Sequence, residues 1–209
     1  MSKEEARFVA AAALRDLNHA FAAHDPETDV LQSLTTAARA ETERLLSAPR
    51  RDRLAIMRAA ATDEWSLATG GAGFADRAVA GAANPTSVDL DVDYDGDEVV
   101  ARVVLRRAFE GAPGRAHGGV VAAAFDDVTG FIIGKLREPA FTGELTVRYV
   151  APVPVDEPLE MRARLDGRER RKLFISGEAR TATGEVVATC RAIYVTVDPA
   201  RFAGFPDPR

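Results

Sequence analysis

Cys190 is the only cysteine among 209 residues, so no disulfide can form within the chain, and a reducing compartment, the cytoplasm, is its expected setting. Histidine is scarce too: His19, His24 and His117 show no metal-ligand spacing, and no glycine-rich nucleotide loop follows a strand. Neither a metal nor another cofactor is therefore expected. Basic residues are the minority, with 27 Lys and Arg against 32 Asp and Glu, and no nucleic-acid partner is expected of such a surface. Long uncharged runs are missing as well. No stretch is apolar and long enough to span a bilayer, and the opening Met1-Ser-Lys-Glu-Glu-Ala-Arg7 lacks a secretory pattern. A soluble protein with no membrane partner is the expectation. What is plentiful is apolar residue, 46%, enough for a sizeable core.

The chain divides by pattern. Residues 2–23 are alanine-rich, with Phe8, Leu14, Leu17 and Phe21 at helical spacing. Asp25-Pro26 ends that helix, and Thr28 or Asp29 caps a second one that Pro49 ends. A third helical stretch runs from Arg51 to about Leu67, followed by breakers at Gly70–Gly73 and Gly81–Pro85. Residues 1–80 hold ten Lys and Arg and twelve Asp and Glu. Such an arm suits packing or oligomerisation better than DNA. His19 and His24 are expected at its solvated surface. From Ser87 the pattern turns to strands. Val88, Leu90 and Val92 alternate with aspartates, Tyr94–Asp97 makes a hairpin turn, and Glu98 to Arg107 returns. Further strands are expected at Thr142–Ala151, Leu159–Leu165, Leu173–Arg180 and Val186–Val197, with 167–172 as a turn.

Between them lies the run from Gly111 to Leu136. It opens as a Pro/Gly loop, passes through His117-Gly118-Gly119 and becomes an apolar helix. Val121, Phe125, Val128, Ile132 and Leu136 share one stripe; Gly119, Ala122, Ala123, Asp126, Gly130 and Ile133 share the other side. A helix without a polar face is enclosed by other structure. It nevertheless carries Asp126 and Asp127, and a carboxylate in low dielectric must be paired, hydrogen-bonded or at work. The helical wheel does not separate the two. One long helix against an antiparallel sheet is α+β. The expected division is an N-terminal helical extension over 1–80, the α+β domain over 81–198 and a loose tail over 199–209.

Two segments carry a family likeness. Gly111-Ala-Pro-Gly-Arg-Ala-His-Gly-Gly119, six residues, then Asp126-Asp-Val-Thr-Gly130, followed by Thr142-Gly-Glu-Leu-Thr-Val-Arg-Tyr-Val-Ala-Pro-Val-Pro154, resembles the PaaI-like hotdog-fold acyl-CoA thioesterases over about residues 85–197. The resemblance implies a hotdog fold, an antiparallel sheet wrapped around one central helix. It makes Asp126 the nucleophile or general base, and the Gly118 and Gly119 N–H groups the donors that polarise the thioester carbonyl. His117 orders the loop or touches the carbonyl, and Thr142 helps place the water or the Asp. Arg171 and Lys172 lie near the coenzyme A phosphates. Many members have Gly before that Arg-Lys pair, where this chain has Arg170. Read alone, the Arg168–Lys172 cluster is a solvated turn. Phe125, Phe131, Phe141 and Tyr149 suit an acyl tunnel or plain core packing.

The chemistry adds a geometric condition. A thioester carbonyl needs donors at its developing oxyanion and a carboxylate or activated water at its carbon. Gly118 and Asp126 are eight residues apart, roughly 12 Å of helical rise, yet both must reach the same carbonyl. Two antiparallel helices across a two-fold axis satisfy this, because Gly119 and Asp126 differ by only about 20° around the helix. The expected assembly is a homodimer, or a dimer of dimers, with acyl-CoA as substrate. The alternative function is a non-catalytic acyl-CoA-binding or sensing module. A hotdog hydratase would want a His/Asp pair, which this pattern matches less well.

Overall fold

The computed structural model describes residues 1–52, 55 and 75–198. The third helical stretch, the Gly70–Gly73 breaker and the 199–209 tail therefore fall outside the described residues. Within them, helices α1 (Lys3–Ala23) and α2 (Thr28–Leu46) lead to the hairpin β1 (Asp91–Asp95) and β2 (Glu98–Val104). A short 3-10 turn, Arg107–Phe109, precedes helix α3 (Gly118–Leu136). Strands β3 (Ala140–Tyr149), β4 (Pro158–Glu169), β5 (Lys172–Thr181) and β6 (Val186–Thr196) follow.

All strand pairings are antiparallel, and the sheet order is β1-β2-β4-β5-β6-β3. Helix α3 lies on one face of this sheet and touches β2 through β6. Its stripe of Val121, Phe125, Val128 and Ile132 is buried together with Val99, Ala101, Met161, Leu173 and Ile175 from the strands. This is the α+β hotdog architecture expected above, and it explains why the helix has no polar face: the sheet removes most of its surface from water. Among the described residues the outer edges of β1 and β3 have no strand partner.

Several boundaries differ from expectation for local reasons. The apolar alternation begins at Val88, but β1 starts only at Asp91, because Asp89 takes a positive φ of 52° that breaks extended backbone. The hairpin connection is Gly96-Asp97, and Gly96 has the φ of 55° that a tight two-residue turn requires. β2 stops at Val104, where the chain passes through Arg106 into the 3-10 turn. The 167–172 segment is mostly strand, with only Arg170-Arg171 left as turn. Arg170 has φ 51°, the left-handed conformation that glycine would adopt freely, so the turn is retained at some backbone cost. Neither Thr28 nor Asp29 caps α2; Glu27 holds that position without a side-chain bond.

The helical arm docks by a face that the apolar pattern did not indicate. Leu14, Leu17 and Phe21 point outward, whereas Ala11, Arg15 and His19 are buried. The Arg15 guanidinium donates to the carbonyls of Ala82 (3.0 Å) and Asn84 (2.9 Å) and pairs with Asp89 at 2.7 Å. His19 is 6% exposed, which corrects its expected surface position. Its Nδ1 accepts the Ala108 N–H at 3.1 Å, and its ring meets Phe109 edge-on at 4.9 Å. A stripe of i, i+4, i+8 polar and small residues is thus the docking face, because the surface it meets offers two backbone carbonyls, an N–H and the Asp89 carboxylate beside the Phe109 ring. Helix α2 buries no residue against the described chain.

Candidate active site

The two adjacent helix carboxylates have different partners. Asp127 Oδ2 accepts the Ala80 N–H at 2.7 Å. Burial pushes its carboxyl pKa above the usual range, and the nearby Arg77 guanidinium partly opposes that rise. Arg77 itself lies over the Phe131 ring, 4.7 Å from its centroid. Asp127 thereby fastens the 75–88 segment to the flank of α3. Asp126, one residue earlier, is half-buried and turns toward β3, where Thr142 Oγ1 donates to its Oδ1 at 2.8 Å. The distinction that the helical wheel left open comes from β3 on one side of the helix and the 75–88 segment on the other.

Two further hydroxyls gather here that the sequence reading did not single out. Tyr194 sits opposite Thr142 in the β3–β6 ladder, and its hydroxyl donates to the Asp126 carbonyl at 2.8 Å. It also lies 3.0 Å from Thr129 Oγ1. Burial pushes the Tyr194 phenol up to about 12, so it stays a hydroxyl throughout the ordinary pH range. A β-bulge between Thr142 and Glu144, at Gly143, re-aims the strand at this point. A glycine inside a strand pattern is the one sequence signal that pointed there.

The N-terminus of α3 carries the other expected site residues, His117, Gly118 and Gly119. His117 is its N-cap, and its Nδ1 accepts the Gly119 N–H at 3.1 Å. An acceptor at Nδ1 puts the neutral ring's proton on Nε2. The two glycine amides therefore differ: Gly119 N–H is engaged by His117, while Gly118 N–H has no acceptor among the described residues. The Gly118 carbonyl accepts the Tyr149 hydroxyl at 2.5 Å. A side chain at Gly118 would start 3.1 Å from that hydroxyl, and one at Gly111 would start 3.0 Å from His117 Cα. The loop is tied further by His117 N–H to the Phe109 carbonyl and Ala116 N–H to the Val153 carbonyl, both at 2.8 Å.

The remaining candidates are scattered. Phe141 stands on β3, 47% exposed and near Thr142. Phe125 has no exposed surface; its ring packs between helix and sheet, in line with the core-packing alternative. Arg171 closes the β4–β5 turn and Lys172 opens β5; Arg171 Nε donates to the Thr196 carbonyl at 2.9 Å. An open groove of about 630 Å³ lies elsewhere, on the sheet beside Asp89, Arg102, Arg106, Glu160 and Arg180, and includes none of these residues. Among the described residues no helix is long and apolar enough to cross a membrane.

Comparison with known proteins fits this geometry. The model of the thioesterase superfamily matches residues 113–188, the span from the glycine loop into β6. Human acyl-coenzyme A thioesterase THEM5 is 41% identical over 70 residues, which are 32% of this chain and 27% of that protein. The chain thus spans little more than a quarter of that curated relative's length. The solved thioesterase superfamily protein RHA08564 is 26% identical, with a TM-score of 0.75 over 90% of this chain and 94% of that one. Coverage so complete takes in part of the helical extension as well as the sheet. A hypothetical thioesterase from Streptococcus pneumoniae, solved with coenzyme A, shares the fold at 15% identity, with a TM-score of 0.50 over 52% of this chain and 89% of its own.

Proposed function

We propose that this chain, whose residues 113–188 match the model of the thioesterase superfamily, hydrolyses acyl-CoA thioesters to the free acid and coenzyme A. One observation carries the reading. Of two neighbouring helix carboxylates, Asp127 is bound to the Ala80 amide, while Asp126 is half-open with an ordered hydroxyl on one oxygen. In this reading Asp126 takes a proton from water as that water attacks the carbonyl carbon, or attacks the carbon itself. Charge gathers on the carbonyl oxygen, where the Gly118 N–H and the positive end of α3 meet it. Collapse breaks the C–S bond, and the sulfur leaves as the thiol of coenzyme A with the proton that Asp126 took from water; where Asp126 attacked, water then splits the acyl–Asp126 anhydride, giving the free acid, restoring the carboxylate and supplying the proton of the thiol. Thr142 holds the carboxylate, and His117 with Gly119 sets the turn that aims Gly118. Phe141 borders the acyl group, and Arg171 and Lys172 meet the phosphates of coenzyme A. The name of THEM5 and the coenzyme A in the Streptococcus pneumoniae structure support that substrate class.

The site is completed by a second copy. Along one helix Gly118 and Asp126 stand roughly 12 Å apart, too far to serve one carbonyl. The unpaired edge of β3 and the half-exposed side of α3 leave room for a two-fold partner, whose Gly118 approaches this chain's Asp126. The working unit is accordingly a cytoplasmic homodimer, alone or paired into a dimer of dimers. Residues 1–80 act as an extension, and 81–198 as the thioesterase-like domain. Release of free thiol from a panel of acyl-CoAs tests the reading. Asp126→Asn should lower kcat by about a thousandfold with the dimer intact. Unchanged release in that variant would reject the assignment, and tight acyl-CoA binding without any thiol release would make the protein a binding module.

A further inference from the structure

We infer that His19, on the helical arm outside the α+β domain, is a positioning residue for the Gly118 amide donor of the proposed active site. The inference rests on the thioesterase reading for its catalytic meaning, but its contacts stand on their own. His19 Nδ1 accepts the Ala108 N–H at 3.1 Å, and the ring packs edge-on against Phe109 at 4.9 Å. The next link is the Phe109 carbonyl, which accepts the His117 N–H at 2.8 Å. His117 Nδ1 in turn accepts the Gly119 N–H at 3.1 Å. Three successive contacts therefore run from the buried face of α1 to the first turn of α3, where Gly118 presents its N–H.

The segment between is tied into a unit. The Arg107 guanidinium pairs with Glu110 at 3.1 Å and with Asp156 at 2.6 Å, and Glu110 and Ala116 form an antiparallel bridge. Gly111 N–H donates to the Arg115 carbonyl at 2.8 Å. A unit this closely bonded moves as one piece, so its orientation depends on what holds its outer end. That end is His19, itself anchored because Arg15, one turn earlier, grips the Ala82 and Asn84 carbonyls and Asp89. A displacement of about 1 Å in such a donor is enough to cost roughly a hundredfold in rate. His19 touches no substrate; it acts through Ala108, Phe109 and His117.

The test uses the full chain as wild type, His19→Ala and His19→Asn, with Leu17→Ala on the outward face of α1 as control. In His19→Ala the amides of residues 107–120 should exchange with solvent about tenfold faster. Its kcat for thiol release should fall about tenfold, with KM within about twofold. Asparagine brings an oxygen to the place of Nδ1 and should restore both readouts, and Leu17→Ala should change neither. Unchanged exchange over 107–120 in His19→Ala would overturn the inference. So would faster exchange spread evenly over the sheet, or failure of asparagine to rescue. If the wild type releases no thiol, the thioesterase reading fails, and the exchange data alone decide whether the arm holds the loop.

Discussion

Thr142 and Asp126 come from different elements, a strand at the sheet edge and the middle of the enclosed helix, and meet through one hydrogen bond of 2.8 Å. The hydroxyl donates to Oδ1 and so restrains the orientation of the carboxylate. The bulge at Gly143 gives Thr142 this direction, since a regular strand would alternate its side chains without the extra residue.

Thr142→Val keeps the shape of the side chain and removes the donor. Its kcat should fall about tenfold, in line with loss of a hydrogen bond to a charged group worth about 1.5 kcal/mol or more. Thr142→Ser keeps the hydroxyl and should stay within about threefold of wild type. Steady-state thiol release checks both; equal losses in the two variants would mean the hydroxyl does not matter.

Asp127 should behave as a structural carboxylate. Asp127→Asn retains an oxygen for the Ala80 N–H and should leave kcat within about twofold, unlike Asp126→Asn. Its effect on stability depends on pH. Burial raises the folded-state pKa of Asp127 above 3.8, so the folded chain holds that proton at pH values where the unfolded chain has lost it. This group therefore makes stability fall as pH rises from 3.8 through its raised value. Urea unfolding of wild type and Asp127→Asn between pH 4 and 7 should show that slope in the wild type and its loss in the variant.

The central helix and the strands after it were legible because each has a strong period and clear breakers. The carboxylates were not separable by sequence, because Asp126 and Asp127 are neighbours on a helix with no polar face to sort them. What distinguishes them is the hydroxyl of Thr142 on one side and the Ala80 amide on the other, both contacts across long chain separations. Tyr194 stayed unseen for the same reason: an aromatic in a strand reads as core until its hydroxyl is found against the Asp126 carbonyl. The arm misled in another way. Phe8, Leu14, Leu17 and Phe21 suggested a packing face, yet the docked stripe is Ala11, Arg15 and His19, whose hydrogen-bond partners Ala82, Asn84 and Ala108 offer backbone groups, which leave no pattern in a sequence.

Docking of the arm should weaken in mild acid. Burial depresses the His19 pKa below 6.5, with Arg106 acting in the same direction and Asp89, Asp16 and Asp156 opposing. Its neutral ring accepts the Ala108 N–H, a bond that a doubly protonated ring cannot make. Between the depressed value and 6.5 the unfolded chain binds more protons than the folded one. The stabilisation is therefore complete above about pH 6.5 and is lost as pH falls toward the folded-state value. Chemical unfolding at pH 5 to 8 should show this loss in wild type relative to His19→Asn, which has no ring to titrate. Parallel curves for the two would place the titration elsewhere.

Shared sites give the last expectation. Gly118→Pro removes the candidate donor while suiting the first position of a helix, and His117 already has the extended backbone, φ −63° and ψ 129°, that a following proline prefers. The added ring must displace the Tyr149 hydroxyl, which lies 3.1 Å from where a Cβ would stand, but that hydroxyl is the end of a half-exposed side chain. Alone, Gly118→Pro and Asp126→Asn should each be nearly inactive. If every site takes Asp126 from one chain and Gly118 from the other, unfolding and refolding the two variants together rebuilds one good site in each mixed dimer. The second site of that dimer carries both defects. Random pairing makes about half of the dimers mixed, so thiol release should recover to about a quarter of the wild-type level. A mixture no more active than its components would mean that each chain builds its site from its own residues. The roughly 12 Å between Gly118 and Asp126 along α3 would then need another explanation.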